Sequence, residues 1–279
     1  MDLKAVYKSK KVLVTGHTGF KGSWMSHWLL SMGADVYGYA LEPETNPNIF
    51  DVLGLEKRLN HKIADIRNYD EIEAYVREIK PDFIFHMAAQ PLVRYSYQEP
   101  KYTYEVNVLG TLNLLEAVRV NQLQTIVVNI TTDKCYENKE WDYGYREVDP
   151  LGGYDPYSSS KACSELVTSS YRNSFFNPLS YGNDHNVGLA SGRAGNVIGG
   201  GDWSGDRLVP DCIKAFSENK EVEIRNPHAT RPWQHVLEPV RGYLELAAAL
   251  AKDPVKYAEA WNFGPGEDAA IDVGTLLGI

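Results

Sequence analysis

Three glycines at three-residue spacing, in Gly16-His17-Thr18-Gly19-Phe20-Lys21-Gly22, follow the apolar run 11–15 and open a helix-length stretch reaching residue 32. No other segment restricts the fold as much. A strand that turns this tightly into a helix needs residues that tolerate unusual φ. Missing Cβ atoms let backbone N–H groups reach a pyrophosphate, and the helix N-terminus adds orphan donors and positive partial charge. Gly22 lets helix and strand approach closely. The spacing is G-x-x-G-x-x-G, and the absence of a following Gly-Lys-Ser/Thr excludes a P-loop.

The rest of the chain repeats this rhythm. Strand-like runs at 11–15, 35–40, 60–64, 83–86 and 125–131 alternate with helical stretches at 19–32, 68–80 and from the fourth strand to about Val120. Strands with little inward/outward alternation, separated by helices, indicate a parallel sheet covered on both faces. The expected fold is α/β: a doubly wound parallel sheet (Rossmann) with a smaller C-terminal substrate-binding lobe. Residues 1–190 read as the dinucleotide-binding domain with the catalytic residues, and 191–279 mainly as the lobe. Within the lobe a helix is expected near 209–218 and a short strand at 222–225. Residues 239–251 (helix) and 260–263 (strand) read as returning to the first domain. A helix starting at 272 runs into the chain end at Ile279, so a further C-terminal piece is expected.

Bulk properties exclude several classes. The formal net charge is −9, and no Lys/Arg run is long enough to track a phosphate backbone, so no nucleic-acid partner is expected. The three cysteines, Cys135, Cys163 and Cys212, form neither a disulfide framework nor a CxxC pattern. No secretory leader and no apolar run of about 18 residues is found, which points to a cytoplasmic protein without a membrane span. Histidine spacing predicts no metal site. Asn129-Ile130-Thr131 matches a glycosylation acceptor by chance, inside a strand. Trp24, Trp28 and Trp203 read as packing.

The chemistry centres on Tyr157-Ser-Ser-Ser-Lys161, which puts phenol and ammonium on one face of a helix. A neighbouring cation favours phenolate, so Tyr157 is expected to act as a base with a lowered pKa. Tyr7/Lys11 and Tyr97/Lys101 share the spacing but lack the context. Thr132 lies 25 residues before Tyr157, at the carboxyl end of the fifth strand, where ligand chemistry occurs in this fold. Asp65 and Ile66 follow the third strand and would flank an adenine. Ala88 and Ala89, small residues after the fourth strand, would leave room for a ribose. Asn107 lies mid-helix, where Asn is a poor helix former, and its side chain is expected to be engaged. The acid that usually ends the second strand is replaced by Ala40, with Glu42 just beyond, which leaves NAD and NADP both open.

Gly16-x-x-Gly19-x-x-Gly22, Thr132, Tyr157 and Lys161 together resemble the extended short-chain dehydrogenase/reductase family over nearly the whole chain. Thr132-Asp133-Lys134 narrows the resemblance, because sugar-nucleotide 4,6-dehydratases carry an acid after the Ser/Thr. The strings 16–24, 86–94, 132–136 and 193–203 are similar to those of the CDP-glucose 4,6-dehydratases. That resemblance implies tightly bound NAD, held by the turn residues Gly16, Thr18, Gly19, Phe20, Lys21 and Gly22 with Asp65, Ile66, Ala88, Ala89, Asn107, Tyr157 and Lys161. It implies conversion of CDP-D-glucose to CDP-4-keto-6-deoxy-D-glucose, toward deoxysugars of bacterial surface polysaccharide. Tyr157 would take the 4-hydroxyl proton, Lys161 support it, Thr132 hydrogen-bond the 4-oxygen, and Asp133 protonate the departing 6-hydroxyl. Related dehydratases place Glu where this chain has Lys134, so Lys134 is either the C5 base or a positioning charge. The usual four-helix contact of the family implies a homo-oligomer, dimer or tetramer, through about 91–120 and 156–171.

Arg193, Arg207 and Arg231 are candidates for a nucleotide diphosphate, since a guanidinium fork offers paired donors. Asn196 suits phosphate or sugar oxygens, Gln90 and Arg94 suit the sugar, and Arg225 with His235 could frame a nucleobase. Three alternatives stand beside CDP-glucose dehydration: a 4,6-dehydratase of another sugar nucleotide, a 4-epimerase, which would have no use for Asp133, and a non-catalytic dinucleotide sensor, which would have none for Tyr157 and Lys161.

Overall fold

The computed structural model describes residues 1–222, 224, 226–266 and 269–278. Its elements run α1 (Leu3–Tyr7), β1 (Lys11–Thr15), α2 (Phe20–Ser31), β2 (Asp35–Ala40), α3 (Ile49–Val52), β3 (Asn60–Ile63), α4 (Tyr69–Ile79), β4 (Phe83–His86), α5 (Val93–Gln98), α6 (Pro100–Tyr104), α7 (Gly110–Val120), β5 (Gln124–Ile130), α8 (Pro156–Ser174), β6 (Asn186–Ala194), β7 (Val197–Ile198), α9 (Leu208–Ser217), β8 (Thr230–Pro232), β9 (Gln234–His235), α10 (Leu237–Lys252), α11 (Pro254–Tyr257), β10 (Ala260–Phe263), β11 (Ala270–Asp272) and α12 (Val273–Leu277). Seven strands form one parallel sheet in the order β10-β6-β5-β4-β1-β2-β3. This is the expected doubly wound fold. Successive connections lead outward from β1 on one side and from β4 on the other, so a crevice opens where they part.

Burial on both faces explains the unbroken apolar strands. Val12, Val14, Phe83, Phe85, Ile126 and Val128 face one way and pack with Met25 and Leu29 of α2 and Val240, Leu244 and Ala247 of α10. Leu13, Ile84, Val127 and Leu189 face the other way and meet Ile72 and Val76 of α4, Leu114, Leu115 and Val118 of α7, and Tyr171 of α8. Each such side chain contributes about 2 kcal/mol on burial.

The stretch of α8 up to Thr168 packs differently. Its inward positions Ser160, Ser164 and Thr168 are buried hydroxyls. Asn107 Nδ2 donates to Ser160 Oγ at 2.8 Å, Ser164 Oγ lies 2.9 Å from Thr111 Oγ1, and Asn129 Nδ2 donates to Ser164 and Thr168 at 3.0 and 2.8 Å. Hydrogen bonds are directional where apolar contacts are not. They set the rotation of α8 about its axis, and with it the aim of Tyr157 and Lys161.

Three expectations are revised. The helix after β4 is not continuous: Glu99, with φ −124° and ψ 63°, breaks it before Pro100, and a π-helical turn at 105–109 separates α6 from α7. The strand expected at 222–225 does not form at residues 222 and 224, while 223 and 225 lie outside the described residues. The division at residue 190 falls inside β6, whose last residues are part of the main sheet. Two small sheets, β7 with β9 and β8 with β11, lie outside the main sheet. Trp24 Nε1 donates to the Gly200 carbonyl at 3.1 Å, and a Cβ on Gly201 would meet Ile49 at 2.6 Å, so the chain at these two glycines sits tightly against α2 and α3.

Candidate active site

The glycine turn behaves as its sequence requires. Gly16 has φ +73°, and a Cβ there would stand 2.8 Å from the backbone of Met87 and Ala88. A Cβ on Gly22 would lie 2.0 Å from the Gly16 carbonyl oxygen, so only glycine lets the first turn of α2 close on the loop. Gly19 caps α2 without a side-chain bond, which leaves the helix's first N–H groups for a ligand. These features fit a dinucleotide pyrophosphate.

One cleft gathers nearly all the residues expected to hold the dinucleotide. Gly16, Thr18, Gly19, Phe20, Lys21, Gly22, Asp65, Ile66, Ala88, Ala89, Tyr157 and Lys161 line it. Glu42, Glu44, Thr45, Asn48, Asp202, Trp203, Ser204 and Arg207 complete its rim. Most of these rim residues had no local signal, since they arrive on loops from two distant parts of the chain. Asn107 is a correction. It is buried outside the cleft, where Oδ1 accepts from Gln90 N at 2.8 Å and Nδ2 donates to the Gln90 carbonyl and Ser160. It is engaged, as its helix position implied, but by protein.

At the carboxyl end of β5, Thr132 caps a 3-10 turn at Asp133–Cys135. Its Oγ1 donates to Asp133 Oδ1 at 2.9 Å. Lys134 Nζ reaches Asp133 Oδ1 at 3.3 Å and Asn196 Oδ1 at 3.2 Å. Tyr157 and Lys161 are buried on the first two turns of α8. Burial pushes the Tyr157 phenol up to about 12, against a hydrogen bond with Thr132. The expectation of a phenol acidified by Lys161 is therefore not met: burial outweighs any nearby cation, and Lys161 Nζ donates instead to the Ile130 carbonyl at 3.1 Å. Burial lowers Lys161 to about 8, with Glu165 opposing. Lys21, half-buried in the cleft wall, is also lowered to about 8, by burial and by Arg207, Lys161 and Lys134, while Asp133 opposes. Several cations thus act on Lys21 at the cleft wall, an arrangement suited to anionic ligands.

The expected substrate residues separate. Arg207 lines the cleft and pairs with Asp202 at 2.8 Å, and Asn196 meets Lys134. Arg94 pairs with Asp206 at 2.7 Å, and neither lines the cleft. Arg231 donates to its neighbour's carbonyl on exposed β8, and His235 stacks edge-on against Trp24. Arg225 lies outside the described residues. Two assignments are corrected. Gln90 is buried, with Nε2 donating to Thr103 and Oε1 accepting from Leu92 N, so both its polar ends are used internally. Arg193 is buried against Glu165 at 3.0 Å, because the strand carrying it runs under α8 rather than into the lobe. Glu165, which sequence reasoning missed, is the partner. Its position four residues after Lys161 was the available signal.

Among the described residues no helix is long and apolar enough to cross a membrane, and no group of three or more His, Cys, Asp or Glu could hold a metal.

Residues 13–263 match the family model described as GDP-mannose 4,6 dehydratase. The chain is 55% identical to the CDP-glucose 4,6-dehydratase of Salmonella typhimurium over 98% of its own length and 76% of that protein's. It is 32% identical to the GDP-mannose 4,6-dehydratase of Yersinia enterocolitica over 60% of its length and 46% of the relative's. Among solved structures, dTDP-glucose 4,6-dehydratase of Streptomyces venezuelae with NAD bound superposes with TM-score 0.78 at 25% identity, covering 96% of this chain and 79% of that one. The UDP-glucose 4-epimerase of Thermus thermophilus in complex with NAD gives 0.77 at 26%, covering 96% and 81%.

The buried Lys161 makes a signed prediction. Its folded pKa lies below the unfolded value of about 10.4, so the fold disfavours the ammonium. The resulting destabilisation is complete below about pH 8 and disappears as pH rises toward the unfolded value. Lys161→Met is expected to gain stability over the parent at pH 7, by up to about 3 kcal/mol, with the gain shrinking toward pH 10. Urea unfolding of both proteins across that range checks it, and a gain independent of pH would contradict it.

Proposed function

The chain belongs to the GDP-mannose 4,6 dehydratase family, and from that membership we propose that it is an NAD-dependent dehydratase converting CDP-D-glucose to CDP-4-keto-6-deoxy-D-glucose. The observation that carries the cytidine-linked substrate is the 55% identity over 98% of the chain to a CDP-glucose 4,6-dehydratase. The site supports it, since Thr132, Asp133, Lys134, Tyr157 and Lys161 meet at the carboxyl ends of β5 and α8's first turns. The dinucleotide would lie along Gly16–Gly22, Asp65, Ile66, Ala88 and Ala89. Glu42 and Glu44 on the same rim disfavour a 2′-phosphate and support NAD over NADP.

NAD, when bound, supplies hydride acceptance from C4 and return to C6, and its oxidised ring brings a positive charge that favours a nearby phenolate. The chain's own residues handle protons. Thr132 hydrogen-bonds the sugar 4-oxygen, and Tyr157 takes the 4-hydroxyl proton as the carbonyl forms. That carbonyl acidifies C5–H. Lys134 is placed to accept the C5 proton and Asp133 to donate to the departing 6-hydroxyl, so water leaves across C5 and C6, and C5 takes up a proton again as hydride returns to C6. Asp133 and Lys134 are each roughly two-fifths exposed, open to a ligand, and 3.3 Å apart. Lys21 and Arg207 supply the charge that a nucleoside diphosphate needs.

Asp133→Asn is expected to slow water loss by about 100-fold or more while C4 oxidation persists. Incubation with CDP-glucose, following the 4-keto-6-deoxy product and the C4 isotope effect, tests this. Equal losses in both steps would remove the acid role, and CDP-galactose as product would favour an epimerase. Lys134→Met should abolish solvent deuterium incorporation at C5, and undiminished incorporation would assign the base elsewhere.

We also infer a homodimer through α7 and α8. Leu109, Val120, Leu166 and Phe175 are large apolar side chains left exposed on or beside these helices. Sedimentation equilibrium should give twice the chain mass, and Leu166→Lys should shift it toward monomer.

A further inference from the structure

An ion pair that no step above uses lies between the catalytic helix and the sheet. Glu165 is 3% exposed and Arg193 5%. Glu165 stands one turn after Lys161 and two turns after Tyr157, on one face of α8. Its Oε1 accepts from Thr131 Oγ1, and its Oε2 accepts from Ser191 Oγ at 2.7 Å and Arg193 Nη2 at 3.0 Å. Arg193 Nη1 donates to the Tyr136 hydroxyl at 2.8 Å and the Glu147 carbonyl at 3.1 Å. The guanidinium also lies over the Tyr136 ring, 5.0 Å from its centroid. Tyr136 in turn donates to Asn262 Oδ1 of β10 at 2.6 Å.

The catalytic stretch Thr132–Lys134 is thus held on both sides by the same pair. Thr131 precedes it and bonds Glu165, while Tyr136 follows it and bonds Arg193. Stability alone does not account for such a pair. Desolvating two charges offsets their attraction, and apolar replacements of both are often neutral or stabilising. A planar fork and a carboxylate with several directed bonds do, however, specify distance and angle. Glu165 also opposes the loss of charge at Lys161.

We propose that the Glu165–Arg193 pair is a positioning device, which fixes Tyr157 and Lys161 on α8 against Thr132 and Asp133 at the end of β5. Tyr157, which takes the 4-hydroxyl proton, and Asp133, which donates to the 6-hydroxyl, sit on different elements, and this pair joins the two. The proposal rests on the dehydratase reading for its substrate, though not for its geometry.

The test separates stability from catalysis. Arg193→Met alone leaves a buried carboxylate without its partner, and Tm should fall by about 10 °C. Glu165→Gln with Arg193→Met removes both charges and should recover most of that Tm. Its kcat is expected to stay about 100-fold below the parent, with KM changed less than about threefold, as for a misplacement near 1 Å. Recovery of kcat together with Tm would overturn the proposal, because the pair would then serve only the fold. A rise in KM at parental kcat would overturn it too, by making Arg193 a substrate contact. Thr131→Val guards against misfolding, since it deletes one bond to Glu165 and no charge. It should lower kcat about tenfold with little change in Tm, and parental kcat would count against positioning. A parent that converts some other nucleotide sugar corrects the substrate alone, and the ratios measured on that sugar still decide the role of the pair.

Discussion

The arrangement depends on the place where the sheet reverses its winding. β1 lies between β2 and β4, and the chain leaves these neighbours in opposite directions. No crossover covers their carboxyl ends, so a crevice is unavoidable there. The glycine turn enters it from β1, Ala88 and Ala89 from β4, and Ile130 and Thr131 from β5. Gly16 and Gly22 make the turn compact enough for helix N–H groups to face the crevice. Function follows from that gap being lined by the ends of several elements, each held by its own core contacts.

Electrostatics then decide what the gap accepts. Arg207, Lys161 and Lys134 act on Lys21 and lower its pKa, while Asp133 opposes them. Burial makes their mutual repulsion more costly than it would be in water. An anionic ligand would relieve this repulsion, which couples its binding to the protonation of Lys21. Arg193 and Arg207 are both ion-paired within the protein, Arg193 buried with Glu165 under α8 and Arg207 with Asp202 at the cleft wall.

Local signals were readable where the physics is local. The glycine spacing states a backbone need, and Tyr157 with Lys161 states a helical face, so both were legible before any fold was known. Asn107 was legible as an engaged side chain, because its place in a helix was otherwise unfavourable. Its partner was not legible, since Gln90 and Ser160 lie 17 and 53 residues away. Gln90 and Arg193 were misread for a related reason. A polar side chain beside a ligand-facing strand end can point to the ligand or to protein, and neighbours distant in sequence make the choice. The upward push on the Tyr157 phenol was not legible, because spacing shows a cation nearby but not how much water burial removes.

Composition and periodicity determined that this chain would form a doubly wound parallel sheet with a dinucleotide turn, since apolar strands and glycine spacing carry their meaning within a few residues. Tertiary structure alone decided which charged side chains face the cleft. Arg207 pairs with Asp202 and remains at the cleft, whereas Arg193 meets Glu165 under α8. The physical reason is that the free energy of a buried charge depends on partners gathered from across the chain, and only the completed packing brings them together.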